Sequence, residues 1–111
     1  MKDIFNVSED ILIYLQGRHT GAENAARSAR IKYLFGIKGT QVRQAVNRLR
    51  CNGQPVCSGA NGYYYAKNRD EINSTITRLL GRARKISAAA RGLALSRQLF
   101  CDGTEGTEGG L

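Results

Sequence analysis

The chain is short of the residues that most often carry chemistry. Its 111 residues include a single histidine, a single proline, no tryptophan and three cysteines. A zinc site needs about four ligands at close spacing. His19 has no second ligand beside it, and Cys51, Cys57 and Cys101 form no CxxC pair. Neither a metal nor another cofactor is therefore expected, and His19 reads as a solvated loop residue. Cys51 and Cys57 read as small core or boundary residues. The odd cysteine count and the lack of a signal peptide predict a reducing, intracellular setting. No apolar run approaches the roughly 20 residues of a membrane span, so no membrane partner is expected. An enzyme is not expected either. The carboxylates are scattered, no nucleophile lies near the histidine in a recognisable pattern, and no glycine-rich phosphate loop precedes a helix. No small-molecule ligand is indicated.

Acid is the next absence. The formal net charge is +8, and no Asp or Glu occurs from residue 24 to residue 69. That segment carries Arg27, Arg30, Lys32, Lys38, Arg43, Arg48, Arg50, Lys67 and Arg69. A second acid-free run covers residues 72–101 with six more basic residues. Charge segregated in this way points to a polyanionic partner.

What is present centres on residues 36–66. Val42, Val46 and Leu49 are spaced i, i+4, i+7, which is one face of a helix over residues 40–51. Its other face carries Gln41, Arg43, Gln44, Asn47, Arg48 and Arg50, side chains that donate to phosphates or read base edges. Asn52-Gly53 stops this helix. Residues 54–58 and 63–66 read as two strands around Gly59-Ala60-Asn61-Gly62, with Pro55 at the first strand's start. Tyr63 and Tyr65 share one face of the hairpin and Tyr64 points the other way. Upstream, a first helix is expected to run to about Gln16, with Asn6 or Ser8 as its cap and Ile11, Leu12 and Leu15 inward. Residues 17–21 read as a loop and residues 22–26 as a turn or short helical segment. A second helix over residues 29–35 is capped by Ser28, buries Ile31, Leu34 and Phe35, and ends at Gly36. Two helices joined by so tight a glycine turn form a helix-turn-helix unit.

After a capping box at Asn68 and Glu71, Ile72, Ile76, Leu79, Ala83, Ile86, Ala90, Leu93, Arg97 and Phe100 fall at alternating steps of four and three. That is a heptad register. A helix of about 30 residues spans roughly 45 Å, whereas a head of some 65 residues has a radius of gyration nearer 11 Å. Its apolar seam therefore needs a further partner, and the expected one is a second copy, paired through Ile72, Ile76, Leu79, Ala83, Ile86, Ala90 and Leu93. The alternative is a bend at Gly81 or Gly92. The tail, residues 102–111, is glycine-rich and acidic and reads as disordered.

Particular residues carry a resemblance: Glu23-Asn24-Ala25, Gly36-Ile37, Val42-Arg43, Asn47-Arg48-Leu49-Arg50, Gly53, Pro55, Cys57-Ser58 and Gly62-Tyr63-Tyr64-Tyr65-Ala66. Through them the chain resembles small winged-helix proteins encoded by bacteriophages and prophages. The G-x-P-V…G-Y-x-Y portion is more distantly similar to the N-terminal DNA-binding domain of biotin repressors. Lys32 departs from the pattern, standing where such units usually place a small residue. The resemblance implies an α+β, mainly helical fold, a winged helix-turn-helix of three helices and a β-hairpin followed by a long C-terminal helix. The expected organisation is a DNA-binding domain over residues 1–67, a coiled-coil dimerisation helix over 68–101, and the tail. The expected function is double-stranded DNA binding in the cytoplasm of a bacterial host, by a dimeric transcriptional regulator of phage or prophage type. Lys38, Thr40, Arg43, Gln44 and Asn47 are placed at base edges in the major groove, and Arg27, Arg30, Arg48, Asn61 and Lys67 on the DNA backbone. A packaging or replication accessory protein is one alternative, and an RNA or single-strand binder using the tyrosines is another.

Overall fold

A computed structural model describes residues 4–100. The expected disordered tail and Cys101 lie outside the described residues. The chain is mainly helical. Helix α1 spans Ile4–Arg18, and a 3-10 turn, Ala22–Asn24, leads to α2, Ser28–Phe35. Helix α3 covers Gly39–Cys51, strands β1 and β2 are Val56–Gly59 and Gly62–Tyr65, and α4 is Arg69–Leu95. A final 3-10 turn occupies Ser96–Phe100.

The core forms where the apolar faces of three helices and the hairpin meet. Helix α1 contributes Val7, Ile11, Leu12 and Leu15, and α3 contributes Val42, Ala45, Val46 and Leu49. Ala26, Ile31, Ile37, Val56, Cys57 and Tyr64 complete it. Burying each large aliphatic side chain contributes about 1.5–3 kcal/mol, so this face pattern is the principal force that seats α3 against α1 and α2.

Several local expectations are corrected. Asn6 and Ser8 do not cap α1 but lie inside it, and Ser8 is buried. The reason is Val7, four residues before Ile11, which extends the apolar face a turn earlier. The helix also runs past Gln16 to Arg18. Ser28 is the first residue of α2, not its cap. Arg27 takes the cap position in extended conformation, without a side-chain cap hydrogen bond. Leu34 is 43% exposed, while Ile31 is fully buried and Phe35 packs against the core. Gly36 ends α2 as expected, in the left-handed region at φ 62°. Arg97 and Phe100 fall in the terminal 3-10 turn, so the α-helical heptad register ends before them. Helix α4 passes through Gly81 and Gly92 without a break.

The hairpin register pairs Val56 with Tyr65, Cys57 with Tyr64, Ser58 with Tyr63 and Gly59 with Gly62. The expected loop at residues 17–21 is more ordered than that. Thr20 bridges to Tyr65 and Ala26 to Tyr63, so the α1–α2 connection forms the third rung beside β2. Ala26 and Tyr63 exchange both backbone hydrogen bonds, at 2.8 and 2.9 Å. Tyr65 N–H donates to the His19 carbonyl and Gly21 N–H to the Tyr65 carbonyl, each at 2.8 Å.

The chain divides into two compact units, the first running through Ile76 and the second beginning at Thr77. The first unit therefore takes in the start of α4, beyond the boundary expected at residue 67. Asn68 caps that start, its Oδ1 accepting from Glu71 N–H at 3.0 Å. The Glu71 carboxylate does not return to Asn68. It accepts from the backbone N–H of Lys67 and of Ala22, each at 2.9 Å. Buried Thr75 accepts from Ser58 N–H at 3.3 Å and donates to the Ser58 carbonyl at 3.4 Å. The second unit is the remainder of α4 with the terminal 3-10 turn.

Gly62 is the glycine this arrangement cannot replace. Its φ is 121°, and an added Cβ would sit 2.6 Å from the Ala26 carbonyl carbon and 2.9 Å from Arg27 Cα. Gly36 has nothing within 4 Å of such a Cβ. Gly62→Ala is expected to lower unfolding free energy by at least about 2 kcal/mol, from backbone strain plus clash. Gly36→Ala should cost about 1 kcal/mol, from the left-handed conformation alone. Urea unfolding of the two variants measures the difference, and equal losses would contradict the close approach of β2 to Ala26.

Candidate nucleic-acid interface

The two faces of α3 are sharply divided. Val42, Ala45, Val46 and Leu49 are buried, while Thr40, Arg43, Gln44, Asn47 and Arg48 are exposed, as is Lys38 just before the helix. At 3.6 residues per turn these exposed positions fall on the side away from the core. The structure thus brings the five predicted base-reading residues onto one surface. Neither α2, α3 nor the hairpin contains an acidic residue.

Gln41 does not belong to that surface. Its Oε1 accepts from Lys38 N–H at 2.9 Å and satisfies a donor at the start of α3. The spacing of three residues was the available signal. Arg50 is also engaged elsewhere. Its Nε donates to the Val56 carbonyl at 2.8 Å and its Nη2 to Ser58 Oγ at 3.1 Å, which ties the end of α3 to β1. No sequence spacing announces that contact, because it depends on how the hairpin turns back.

Lys32 is accommodated at the start of α3. A Cβ on Gly39 would lie 3.9 Å from Lys32 Cδ and 3.8 Å from Arg43 Nη1. The lysine stem therefore runs past a residue without a side chain, and Lys32 itself is exposed.

Among the predicted backbone contacts, Arg27 and Arg30 are exposed at the first turn of α2, Asn61 is exposed in the hairpin turn, and Arg48 is exposed on α3. Lys67 is exposed but engaged. Its ammonium lies 2.8 Å from Glu23 Oε2 and 3.1 Å from Oε1. The hydrogen bond from Lys67 holds the Glu23 carboxyl below its ordinary range, and the same bond raises the Lys67 ammonium. Because the carboxyl is depressed, the pair's contribution is present at neutral pH and fades as pH falls through the folded value. Lys67 must exchange this partner before it can hold a phosphate.

His19 is half-buried rather than freely solvated. Its ring stacks at a tilt on Tyr14 with centroids 4.7 Å apart, and its Nδ1–H donates to the Asn24 carbonyl at 2.6 Å. Cys57 is buried, and burial pushes its thiol above the ordinary value. Its Sγ donates weakly to the Glu71 carbonyl at 3.6 Å. Cys51, in contrast, is exposed at the last residue of α3. Among the described residues, no group of three or more His, Cys, Asp or Glu is arranged to hold a metal. No helix there is long and apolar enough to cross a membrane.

Comparison of the chain with protein-family models, with curated proteins and with solved structures found no match.

The thiols give a direct check on this geometry. In a Cys101→Ser variant, Ellman's reagent should modify Cys51 rapidly in the native protein and Cys57 only after unfolding, since the thiolate is the reactive species and burial disfavours it. Rapid modification of both would contradict the burial of Cys57.

Proposed function

We propose that this chain is a double-stranded DNA-binding protein of the winged helix-turn-helix type, with α3 in the major groove and the β1–β2 hairpin as the wing. The observation that carries the reading is the acid-free exposed face of α3. It presents Lys38, Thr40, Arg43, Gln44 and Asn47 opposite a fully apolar buried face. Arg and Gln are the side chains suited to bidentate reading of guanine and adenine edges, and Asn serves adenine equally. Arg27, Arg30, Arg48 and Asn61 serve the backbone, which fixes register without carrying sequence information. The role is that of a transcriptional regulator of phage or prophage type. The hairpin favours duplex over single strands. Tyr64 is buried and Tyr63 and Tyr65 pack against the core, so the three rings do not form an open stacking platform.

A duplex recovered by genome-fragment selection provides the test. Arg43→Ala and Gln44→Ala should each weaken binding to it by about 1–3 kcal/mol and relax specificity at one base pair. Affinity should fall with salt at a log–log slope of roughly −0.9 per phosphate neutralised. If neither substitution weakened binding, the major-groove placement of α3 would be wrong.

The active form in this reading is a homodimer joined through α4. Ile76, Ile86 and Leu93 are 46%, 67% and 73% exposed, and Ala83 and Ala90 are exposed on the same seam. Ile72 and Leu79 are half-buried. Arg78, Arg84, Lys85 and Arg91 occupy heptad positions away from the seam, and Arg82 flanks it. Pairing would present two heads to a site of two-fold character. The same seam is what a DNA-packaging or replication accessory subunit would use in a larger ring. Sedimentation should give twice the monomer mass for the full chain and the monomer mass for Ile86→Asp, with unchanged helical circular dichroism. A monomeric full-length chain at micromolar concentration would overturn the dimer, and a larger ring would favour the packaging reading. Substitution is the cleaner test here, because truncation at Arg69 would also remove Glu71 and Thr75.

A further inference from the structure

The first compact unit contains a cavity of about 850 Å³ whose aromatic wall and Arg18 have no part in the proposed DNA contact. It opens between the end of α1 and the first turn of α2. Arg18, Arg27 and Arg30 line it, together with the rings of Tyr14, His19 and Phe35. No Asp or Glu is among its lining residues. Among the described residues, none of the three guanidiniums has a carboxylate partner. The rings are held in place: Tyr14 meets His19 at 4.7 Å and Phe35 edge-to-face at 5.7 Å. His19 donates its Nδ1–H to the Asn24 carbonyl, which leaves Nε2 as its remaining polar edge.

Three guanidiniums without a carboxylate partner among the described residues, around an aromatic floor, are matched to one kind of ligand. Each guanidinium offers a planar fork of donors suited to phosphate or carboxylate, and it also stacks on flat rings. The partly buried aromatic wall offers edge and face contacts to a further ring. The volume lies within the range of about 300–1,000 Å³ usual for small-molecule sites.

We propose that this cavity is a binding site for a small planar organic anion, an aromatic ring bearing a phosphate or a carboxylate. The anionic group is held by Arg18, Arg27 and Arg30 at the rim, and the ring lies against Tyr14, His19 and Phe35. A bare phosphate satisfies the arginines and leaves the aromatic wall exposed, so the ring is what separates this site from a simple phosphate contact. Because Arg27 and Arg30 are also candidate backbone contacts, the site is tested without DNA, and a failure of duplex binding leaves the result intact.

The experiment is isothermal titration of the full chain at low salt with adenosine 5′-monophosphate, with benzoate and with inorganic phosphate. At least one ring-bearing probe should bind once per chain with Kd of about 10–100 μM, at least tenfold tighter than phosphate. A tighter monophosphate identifies a nucleotide-like ligand, and a tighter benzoate identifies an aromatic carboxylate. Arg18→Ala and Arg30→Ala, on different helices, should each weaken that probe by about tenfold or more, the loss of a charge-assisted hydrogen bond. Unchanged far-UV circular dichroism checks that both variants are folded. Failure of both ring-bearing probes to bind at millimolar concentration would overturn the proposal. So would phosphate binding as tightly as they do, or affinity untouched by both substitutions.

Discussion

A two-stranded hairpin leaves half of its backbone donors and acceptors facing outward, and in a folded chain these groups must find partners. How that requirement is met fixes the connections around the helical core of the first unit. On the β2 side, Tyr63 and Tyr65 pair with Ala26, His19 and Gly21, which fixes the path of the chain between α1 and α2. On the β1 side, Arg50 takes the Val56 carbonyl and Thr75 takes both backbone groups of Ser58. The end of α3 and the start of α4 are thereby fastened to the same small sheet. Glu71 adds a cross-link, holding the N–H of Ala22 from one element and of Lys67 from another.

This arrangement divides the basic residues into two groups. Arg50 and Lys67 are engaged within the fold, the first with the hairpin and the second with Glu23. The other group, Lys38, Arg43, Arg27 and Arg30, stays exposed where α3 and the first turn of α2 reach the surface. Net charge alone does not distinguish the groups. A guanidinium that donates to a backbone carbonyl keeps its charge but loses the freedom to dock on a phosphate. The acid-free faces of α2 and α3 therefore matter more to the proposed contact than the total of +8.

Much of the core and of the candidate surface was legible in the sequence, because both depend on periodicity within one helix. Val42, Val46 and Leu49 on one side and Arg43, Gln44 and Asn47 on the other follow from 100° per residue, and the structure keeps that division. The alternation that sets Tyr64 apart from Tyr63 and Tyr65 is likewise local, and Tyr64 is the buried ring. The capping role of Asn68 needed only its distance from Glu71. Local signals compete at the start of α1. Asn6 and Ser8 have cap-like chemistry, yet burial of Val7 carries α1 through both.

The sequence by itself determined which residues form α3, which of its faces is apolar, where Gly36 breaks the chain and how the hairpin strands alternate. Each of these rests on interactions among residues a few positions apart. Only the tertiary structure decided that residues 19–26 extend the hairpin, that Arg50 and Thr75 close its other edge, and that Glu23 claims Lys67. It also decided that Arg18, Arg27 and Arg30 converge on one aromatic-walled cavity. Those pairings join residues as far as 49 positions apart, as between Ala22 and Glu71. No periodicity encodes such contacts, because they are selected by whichever backbone groups remain unpaired once the helices have packed.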